Sequence, residues 1–145
     1  MELKKLISEV VINQKVNYNE NIQVENICMD SSKCTKNSLF FAINGTNTNG
    51  ELYASSAVKN GAVVVVTEHK IDNLNACQLI VDNTRSAMAK ISANFYDNAH
   101  KKLKIIAIVG TNGKTSTAHI LGSILSCANK KVGMIGTNGC YICGK

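Results

Sequence analysis

The run AVVVVT at residues 62–67 is the feature that most constrains how this 145-residue chain can fold. Its apolar, mostly β-branched side chains leave neither face of a strand for water, so it predicts a strand that is buried on both sides. The runs SLFFAI at 38–43 and LKIIAIV at 103–109 predict further strands of the same kind. Because such strands are typical of parallel sheets that helices cover, the sequence predicts an α/β fold with largely parallel sheets.

Helix and strand patterns alternate along the rest of the chain, as this fold class requires. Amphipathic helices are predicted at residues 1–11, 52–60, 84–96 and 115–127. Shorter strands are predicted near Ile27 and at residues 79–81 and 132–135. Gly61 can end the second helix, and Asn83 or Thr84 can begin the third.

A polar stretch at residues 97–102 divides the chain. It predicts a first domain at 1–97, a linker at 98–102 and a second domain at 103–145. The first domain has buried strands together with helices to cover them, so we expect it to be compact. The second has only part of a parallel sheet with open edges, so we expect it to be the less stable of the two.

Charge and hydropathy restrict the class of ligand. The net charge is +6 and the isoelectric point about 9.0, but the lysines are scattered and Arg85 is the only arginine. This pattern favours a small anionic ligand over nucleic acid. No apolar run could cross a bilayer and no signal peptide is visible, so we expect a cytoplasmic protein that makes no membrane contact. The CxxC formed by Cys140 and Cys143 lacks a second cysteine pair and is interpreted as fortuitous.

The segment GTNGKTS at residues 110–116 carries the clearest chemistry. Glycines permit a tight turn that exposes backbone N–H groups, and the helix that follows directs its N-terminus at an anion. Lys114 can reach the β- and γ-phosphates of ATP, and the Thr115 hydroxyl can bind Mg²⁺. We therefore predict ATP and Mg²⁺ as cofactors, Lys114 as the catalytic residue and Thr115 as the metal ligand. The predicted phosphate-binding residues are Gly110, Thr111, Asn112, Gly113, Lys114, Thr115 and Ser116.

This segment resembles the phosphate loop of the Mur ligase family, which reads GTNGKT followed by Ser or Thr. Between about residue 28 and residue 145, further stretches resemble the MurE branch of that family. They are DSS at 30–32, NSLFFA at 37–42, the loop at 45–50, AVKNGAVVVV at 57–66, DNTRSAMA at 82–89, FY at 95–96 and KVGMIGT at 131–137. The resemblance implies an N-terminal Mur-ligase α/β domain that binds a UDP-linked substrate. The start of a P-loop-like, parallel-sheet ATP-binding domain would follow it.

For this branch the resemblance implies an ATP-dependent amide ligase of peptidoglycan synthesis, which we expect to be a monomer. ATP would phosphorylate the D-glutamate carboxylate of UDP-N-acetylmuramoyl-L-alanyl-D-glutamate, and the amine of a diamino acid would attack the acyl phosphate. The resemblance also implies that Met29 and Ser31 contact the uridine. Thr46, Asn47 and Thr48 would contact the UDP region.

Several residues depart from the family's patterns. Ser32 stands where Arg is usual, Thr46 where His is common and Asn49 where Asp is usual, and all three bear on UDP recognition. The alternative interpretation of Asp30 and Ser31 is a turn or helix cap.

Other polar residues have a simpler interpretation. Arg85 is interpreted as a surface charge or a helix-start residue. The histidines are interpreted as isolated, structural or solvated residues, namely His69, His100 and His119. Asp82 and Asp97 have no carboxylate partner at a useful spacing, so no glycosidase-like pair is predicted.

Only about 30 residues follow the phosphate loop, too few for the remaining strands of a P-loop-like domain. We therefore expect a fragment or a truncated product without ligase activity of its own. The sequence does not distinguish lysine from meso-diaminopimelate as the residue added. Alternatives are another Mur-type ligase that adds D-alanyl-D-alanine, a folylpolyglutamate synthase, and a non-catalytic module that binds a nucleotide sugar.

Overall fold

The computed structural model describes residues 1–45 and 48–142. The chain divides into two compact units, Met1–Leu103 and Lys104–Lys145. The stretch predicted as a linker lies at the end of the first unit, where Ala99–Lys102 form a short 3-10 helix. The chain passes into the second unit directly after this helix and Leu103.

The first unit is built on a five-stranded sheet with the strand order β1-β5-β4-β3-β2. The strands are β1 (Gln14–Val16), β2 (Asn26–Cys28), β3 (Ser38–Phe41), β4 (Ala62–Thr67) and β5 (Cys77–Ile80). Neighbours from β2 to β5 pair in parallel, which confirms the predicted sheet type. The sequence does not predict β1, which pairs antiparallel with β5, because QKV is short, polar and exposed at two of its three residues.

The helices of the first unit are α1 (Leu3–Leu6), α2 (Ala54–Lys59) and α3 (Thr84–Phe95). α3 begins as predicted, with Asn83 Oδ1 accepting a hydrogen bond from the Ser86 amide at 2.8 Å. The predicted helix at 52–60 is divided into a 3-10 helix, Gly50–Tyr53, and α2. Gly61 follows α2 with a φ of 108°, a conformation that ends a helix and suits glycine. No helix within the described ranges is long and apolar enough to cross a membrane.

The prediction of a helix over residues 1–11 is wrong beyond the first turn. α1 has four residues, and Glu9 adopts a φ of 66°, which no right-handed helix accommodates. One isolated turn is unstable by itself, because nucleation costs more than a single hydrogen bond returns. Burial of Leu3 and Leu6, each 0% exposed, is what holds it in place.

Two apolar clusters lie on opposite faces of the sheet. Val64 and Val66 of β4 belong to one cluster, and Val65 between them belongs to the other. All three are 0% exposed, which confirms the prediction of a strand buried on both faces. Burying each such side chain contributes about 1.5–3 kcal/mol before the entropy of ordering is counted.

The second unit contains α4 (Lys114–Cys127) and a hairpin of β6 (Gly133–Gly136) and β7 (Gly139–Ile142). The predicted helix and the predicted strand at 132–135 are therefore confirmed to within one residue. The sequence does not predict β7. The spacing of Ile120 and Ile124 predicts that both lie on the packed face of α4, but they are 62% and 59% exposed. Gly122 is instead the residue of α4 that is buried.

The strand predicted at residues 103–109 is wrong. The segment has no regular secondary structure, and Ile105 and Val109 are 69% and 92% exposed. A strand needs a neighbour for its backbone N–H and C=O groups, and among the described residues no strand pairs with this segment. Hydrophobicity alone therefore does not make a strand here.

Candidate functional site

The predicted phosphate loop leads directly into α4. Gly113 is the residue that precedes the helix, and its φ of 75° lies in the left-handed region that glycine adopts without strain. It provides no side chain to cap α4. The helix's first backbone hydrogen bond runs from the Thr117 amide to Gly113 O at 2.9 Å. The N–H groups of residues 114–116 therefore point out of the first turn, where a helix dipole favours an anion.

Lys114 folds back over this loop. Its ammonium donates to Gly110 O at 2.6 Å and to Thr111 O at 3.1 Å. A positive charge therefore stands beside the exposed N–H groups, and a phosphate could accept hydrogen bonds from both. The Thr115 and Ser116 residues of the same turn are exposed, so their hydroxyls are accessible to a ligand.

A close contact sets the position of α4 against the hairpin. A Cβ added to Gly122 would lie 2.6 Å from Met134 Sδ of β6, so the absence of a side chain allows helix and strand to approach. His119 and Tyr141 add an edge-to-face contact with ring centroids 5.6 Å apart. These contacts hold α4 against β6 and β7.

The predicted substrate residues fall at one edge of the first unit's sheet. Met29 and Ser31 follow β2, and Thr48 belongs to the loop that follows β3. β2 and β3 are adjacent and parallel, so their carboxyl ends meet at the same edge, where open α/β sheets bind ligands. Thr46 and Asn47, which are predicted to contact the UDP region, lie outside the described residues.

Asp30 is the cap that the alternative interpretation proposes. Its Oδ1 accepts hydrogen bonds from Ser32 Oγ at 2.7 Å and from the Ser32 amide at 3.0 Å. These bonds hold the pKa of the exposed Asp30 carboxyl below its usual value. They also form the 3-10 turn Ser31–Lys33, while Met29 beside it is 69% exposed. The cap therefore presents this segment to solvent, and a binding role for Met29 and Ser31 remains compatible with it.

The two cysteines that flank this turn are unsuited to nucleophilic chemistry. Burial raises the pKa of the Cys34 thiol to about 12, and burial also raises the pKa of Cys28. Both thiols are protonated at neutral pH, and a thiol is a far weaker nucleophile than a thiolate. The cysteines beside this turn therefore supply no covalent step.

One backbone hydrogen bond and one hydrogen bond to a side chain connect residues near the two ends of the loop that follows β3. The Gly45 amide donates to Thr48 O at 2.8 Å, and the Gly50 amide donates to Asn44 Oδ1 at 3.2 Å. Gly50 lies so close to β3 that an added Cβ would be 2.4 Å from Ile43 O. The loop therefore requires glycine at position 50.

The half-buried carboxylate of Glu51 connects the residues after this loop to β4. Glu51 Oε1 accepts hydrogen bonds from Thr67 Oγ1 at 2.8 Å and from the His69 amide at 2.9 Å. Burial acts to raise the pKa of Glu51, but these bonds and the contact with the His69 ring outweigh it, so the pKa is lowered. His69 Nδ1 lies 3.1 Å from the same oxygen. The prediction that His69 is structural agrees with this contact, whereas the prediction that it is isolated is wrong.

Sequence reasoning missed the part that Arg85 plays at this edge. Its Nη2 donates to the carbonyl oxygen of Asn44 at 3.1 Å, so Arg85 is more than a surface charge at the start of α3. Asn44 Nδ2 in turn donates to Glu68 Oε2 at 3.2 Å. The signal that could have revealed this contact is that Arg85 is the only arginine of the chain and lies in the family-like stretch at 82–89.

Comparisons with known proteins identify relatives of this chain. Residues 23–96 match the Mur ligase family, catalytic domain. The chain is 44% identical over 127 residues to the UDP-N-acetylmuramoyl-L-alanyl-D-glutamate--2,6-diaminopimelate ligase of Caldanaerobacter subterraneus subsp. tengcongensis. It is 40% identical over 143 residues to ligase 1 of the same name from Clostridium acetobutylicum.

These matches cover 87% and 98% of the chain, which spans only 26% and 30% of the length of the two relatives. A crystal structure of MurF from Acinetobacter baumannii is similar over 87% of this chain, which corresponds to 27% of the MurF chain. The sequence identity is 28% and the TM-score is 0.71. The family match includes strands β2 to β5 of the first unit's sheet. The chain belongs to the Mur ligase family.

Proposed function

We propose that this chain supplies the UDP-binding and ATP-phosphate-binding parts of a ligase of peptidoglycan synthesis. The ligase would join 2,6-diaminopimelate to UDP-N-acetylmuramoyl-L-alanyl-D-glutamate. The observation that carries the proposal is the geometry of the phosphate loop. Lys114 lies over the turn that leads into α4, beside the free N–H groups of the first turn of that helix. The choice of diamino acid rests on the names of the two relatives.

The proposed reaction needs the phosphate loop because a carboxylate is a poor electrophile. The glutamate carboxylate oxygen attacks the γ-phosphorus of ATP, and ADP leaves. The amine nitrogen then attacks the acyl carbon, phosphate leaves, and the amine gives up a proton as the amide forms. Lys114 and the N–H groups of residues 114–116 would hold the phosphates and balance their charge during the transfer.

Thr115 is the residue that would bind Mg²⁺. Its hydroxyl is the kind of oxygen ligand that this ion accepts together with phosphate oxygens and water. Within residues 1–45 and 48–142 no group of three His, Cys, Asp or Glu side chains could hold a metal by itself. In this proposal the ion enters together with the nucleotide, and its role would be to neutralise phosphate charge.

The first unit would bind the UDP end of the other substrate. Met29, Ser31 and Thr48 follow neighbouring parallel strands, and the proposal adds Thr46 and Asn47 from the same loop. Short hydroxyl side chains and backbone N–H groups can bind a uracil edge and a diphosphate, while Met29 offers an apolar surface.

A D-alanyl-D-alanine-adding activity is the second candidate, because the MurF structure shares the fold. We favour the diaminopimelate-adding activity because identity is 40–44% with those relatives and 28% with MurF.

We expect the protein to act in the cytoplasm as a monomer, without nucleic acid or membrane. The five cysteines that the structure describes are free thiols, which suits a reducing compartment.

Calorimetric titration of the 145-residue chain with Mg-ATP and, separately, with UDP tests the proposal. We expect Lys114→Ala to weaken ATP binding by about 10- to 100-fold, because a charge-assisted contact is lost. Lys130→Ala, at an exposed residue just after the same helix, is the matched control and should change ATP affinity by less than about twofold.

UDP affinity should be equal in both variants. In an NMR titration with UDP, amide signals near Ser31 and Thr48 should shift. Equal ATP affinity for Lys114→Ala and the unchanged chain would show that the phosphate loop does not bind ATP. Absence of UDP shifts at that sheet edge would reject the substrate-side assignment.

A further inference from the structure

Asn44, the residue that begins the loop after β3, is tied to three other parts of the first unit. Its Oδ1 accepts from the Gly50 amide at 3.2 Å, which closes the loop. Its Nδ2 donates to Glu68 Oε2 at 3.2 Å, and its carbonyl oxygen accepts from Arg85 Nη2 at 3.1 Å. Asn44 therefore holds the ends of the loop. The hydrogen bonds that Asn44 makes with Glu68 and Arg85 determine how rigidly those ends are held.

Glu68 joins Asn44 to the start of α3. It follows β4 directly, and its second oxygen, Oε1, accepts from the Thr84 amide at 3.1 Å. A carboxylate at a helix N-terminus is favourable because the helix dipole is positive there. Thr84 is 0% exposed, so the start of α3 is packed within the first unit. Both oxygens of Glu68 are thus used to fix Asn44 relative to α3.

Arg85 provides the second connection between α3 and the loop. Its planar guanidinium offers several N–H donors in a rigid arrangement, so less freedom is lost per hydrogen bond than with lysine. A charged donor also makes a stronger bond to a carbonyl oxygen than a neutral donor does. Arg85 is the next residue after the buried Thr84, so its backbone starts from a fixed point.

We propose that Arg85 and Glu68 are positioning residues that hold the loop ends, through Asn44, in the conformation that binds a nucleoside diphosphate. The inference rests on the proposed function of the first unit. The loop lies at the carboxyl end of β3, beside the residues that follow β2. When the ends of a loop are already held in place, less entropy is lost on ligand binding, so the same contacts yield a higher affinity.

Lys90 offers a closely matched control for Arg85. It lies on the same helix, α3, and its Nζ donates to the carbonyl oxygen of Glu9, also at 3.1 Å. Like Arg85 it is exposed, but it contacts residues after α1 and not the loop after β3. Lys90→Gln therefore removes one charge and one side-chain bond of the same kind at a different place.

The test is titration of the intact chain with UDP and with Mg-ATP, together with urea unfolding of each variant. We expect Arg85→Gln to raise the Kd for UDP by about tenfold, and Glu68→Gln to raise it as well. Arg85→Lys, which keeps the charge, should recover part of the affinity. Lys90→Gln should change it by less than about twofold. ATP affinity should be unchanged throughout, because its proposed site is in the second unit.

The possible outcomes are distinct. Equal UDP affinity for Arg85→Gln and the unchanged chain, or equal losses in Arg85→Gln and Lys90→Gln, would overturn the inference while the proposed function stands. Failure of the unchanged chain to bind UDP would reject the proposed function and this inference with it. The positioning role would be supported if Arg85→Gln binds UDP more weakly while its unfolding free energy equals that of Lys90→Gln. The NMR signals of the Gly45 and Gly50 amides should also shift in Arg85→Gln.

Discussion

Replacing Gly50 with alanine should destabilise the first unit more than any ordinary loop substitution. The added Cβ would lie 2.4 Å from Ile43 O, 2.5 Å from Ile43 N and 2.7 Å from the carbonyl carbon of Ala42. All three are backbone atoms of the segment that follows β3, and Ala42 is 0% exposed. No side-chain rotation can relieve this overlap, so the loop or the end of the strand must shift.

The magnitude follows from two losses. Forcing an extra carbon into a packed region costs about 1–3 kcal/mol, and displacing the Gly50 amide from Asn44 Oδ1 costs about 1 kcal/mol more. We therefore expect Gly50→Ala to lower the free energy of unfolding by about 2–4 kcal/mol, out of the roughly 5–15 kcal/mol typical of a folded domain. For a domain of about 100 residues, this corresponds to a fall in Tm of about 10–25 °C.

Gly45→Ala is the control at the other end of the same loop. A Cβ there would meet Thr48 Oγ1 at 3.1 Å, which is a side-chain atom that can rotate, and otherwise nothing closer than 3.5 Å. We expect it to cost less than about 1 kcal/mol. Urea unfolding of the intact chain, followed by circular dichroism, measures both variants. A Gly50→Ala chain within about 0.5 kcal/mol of Gly45→Ala would refute the steric argument.

Two further predictions concern pH and backbone protection. The pKa of Glu51 is lower in the folded chain than its ordinary value of 4.5, so its contribution to stability is complete above that pH and is lost as the pH falls through the folded-state pKa. Glu51→Gln should therefore make the unfolding free energy less dependent on pH between about 5 and 3, and an identical pH profile for both proteins would contradict this. In hydrogen exchange at neutral pH, the amides of Ile105 and Ile106 should exchange much faster than those of Val64 and Val65. Only Val64 and Val65 lie in paired strands of a sheet. Comparable rates would show that residues 103–109 form a protected strand in solution.

Much of the first unit can be predicted from sequence because its signals are local and strong. Four valines in a row at 63–66 leave only a buried strand as a solution. Asn83 specifies the start of α3 through a hydrogen bond three residues along the chain. The phosphate loop is equally local, since the glycines and Lys114 lie within five consecutive residues.

The missed features depend on residues that are distant in sequence. β1 exists because Gln14–Val16 lies against β5, more than 60 residues away, and not because QKV favours a strand. The segment at 103–109 shows the converse, since its apolar residues favour a strand but no described strand pairs with it. Periodicity also placed Ile120 and Ile124 on a packed face of α4, whereas Gly122 makes the close contact because only glycine lets Met134 approach.

The fold class and the family can be predicted from the sequence alone, because they depend on residue type and short spacing. How the edge beyond β3 and β4 is held depends on the tertiary fold. Asn44, Glu68 and Arg85 are separated by 24 and 17 residues (68 − 44 and 85 − 68), and each has a solvated role that suits its residue type equally well. They form one network because the parallel strands β3 and β4 end at the same edge of the sheet, and α3 begins at that edge. This topology brings an amide, a carboxylate and a guanidinium within hydrogen-bonding distance.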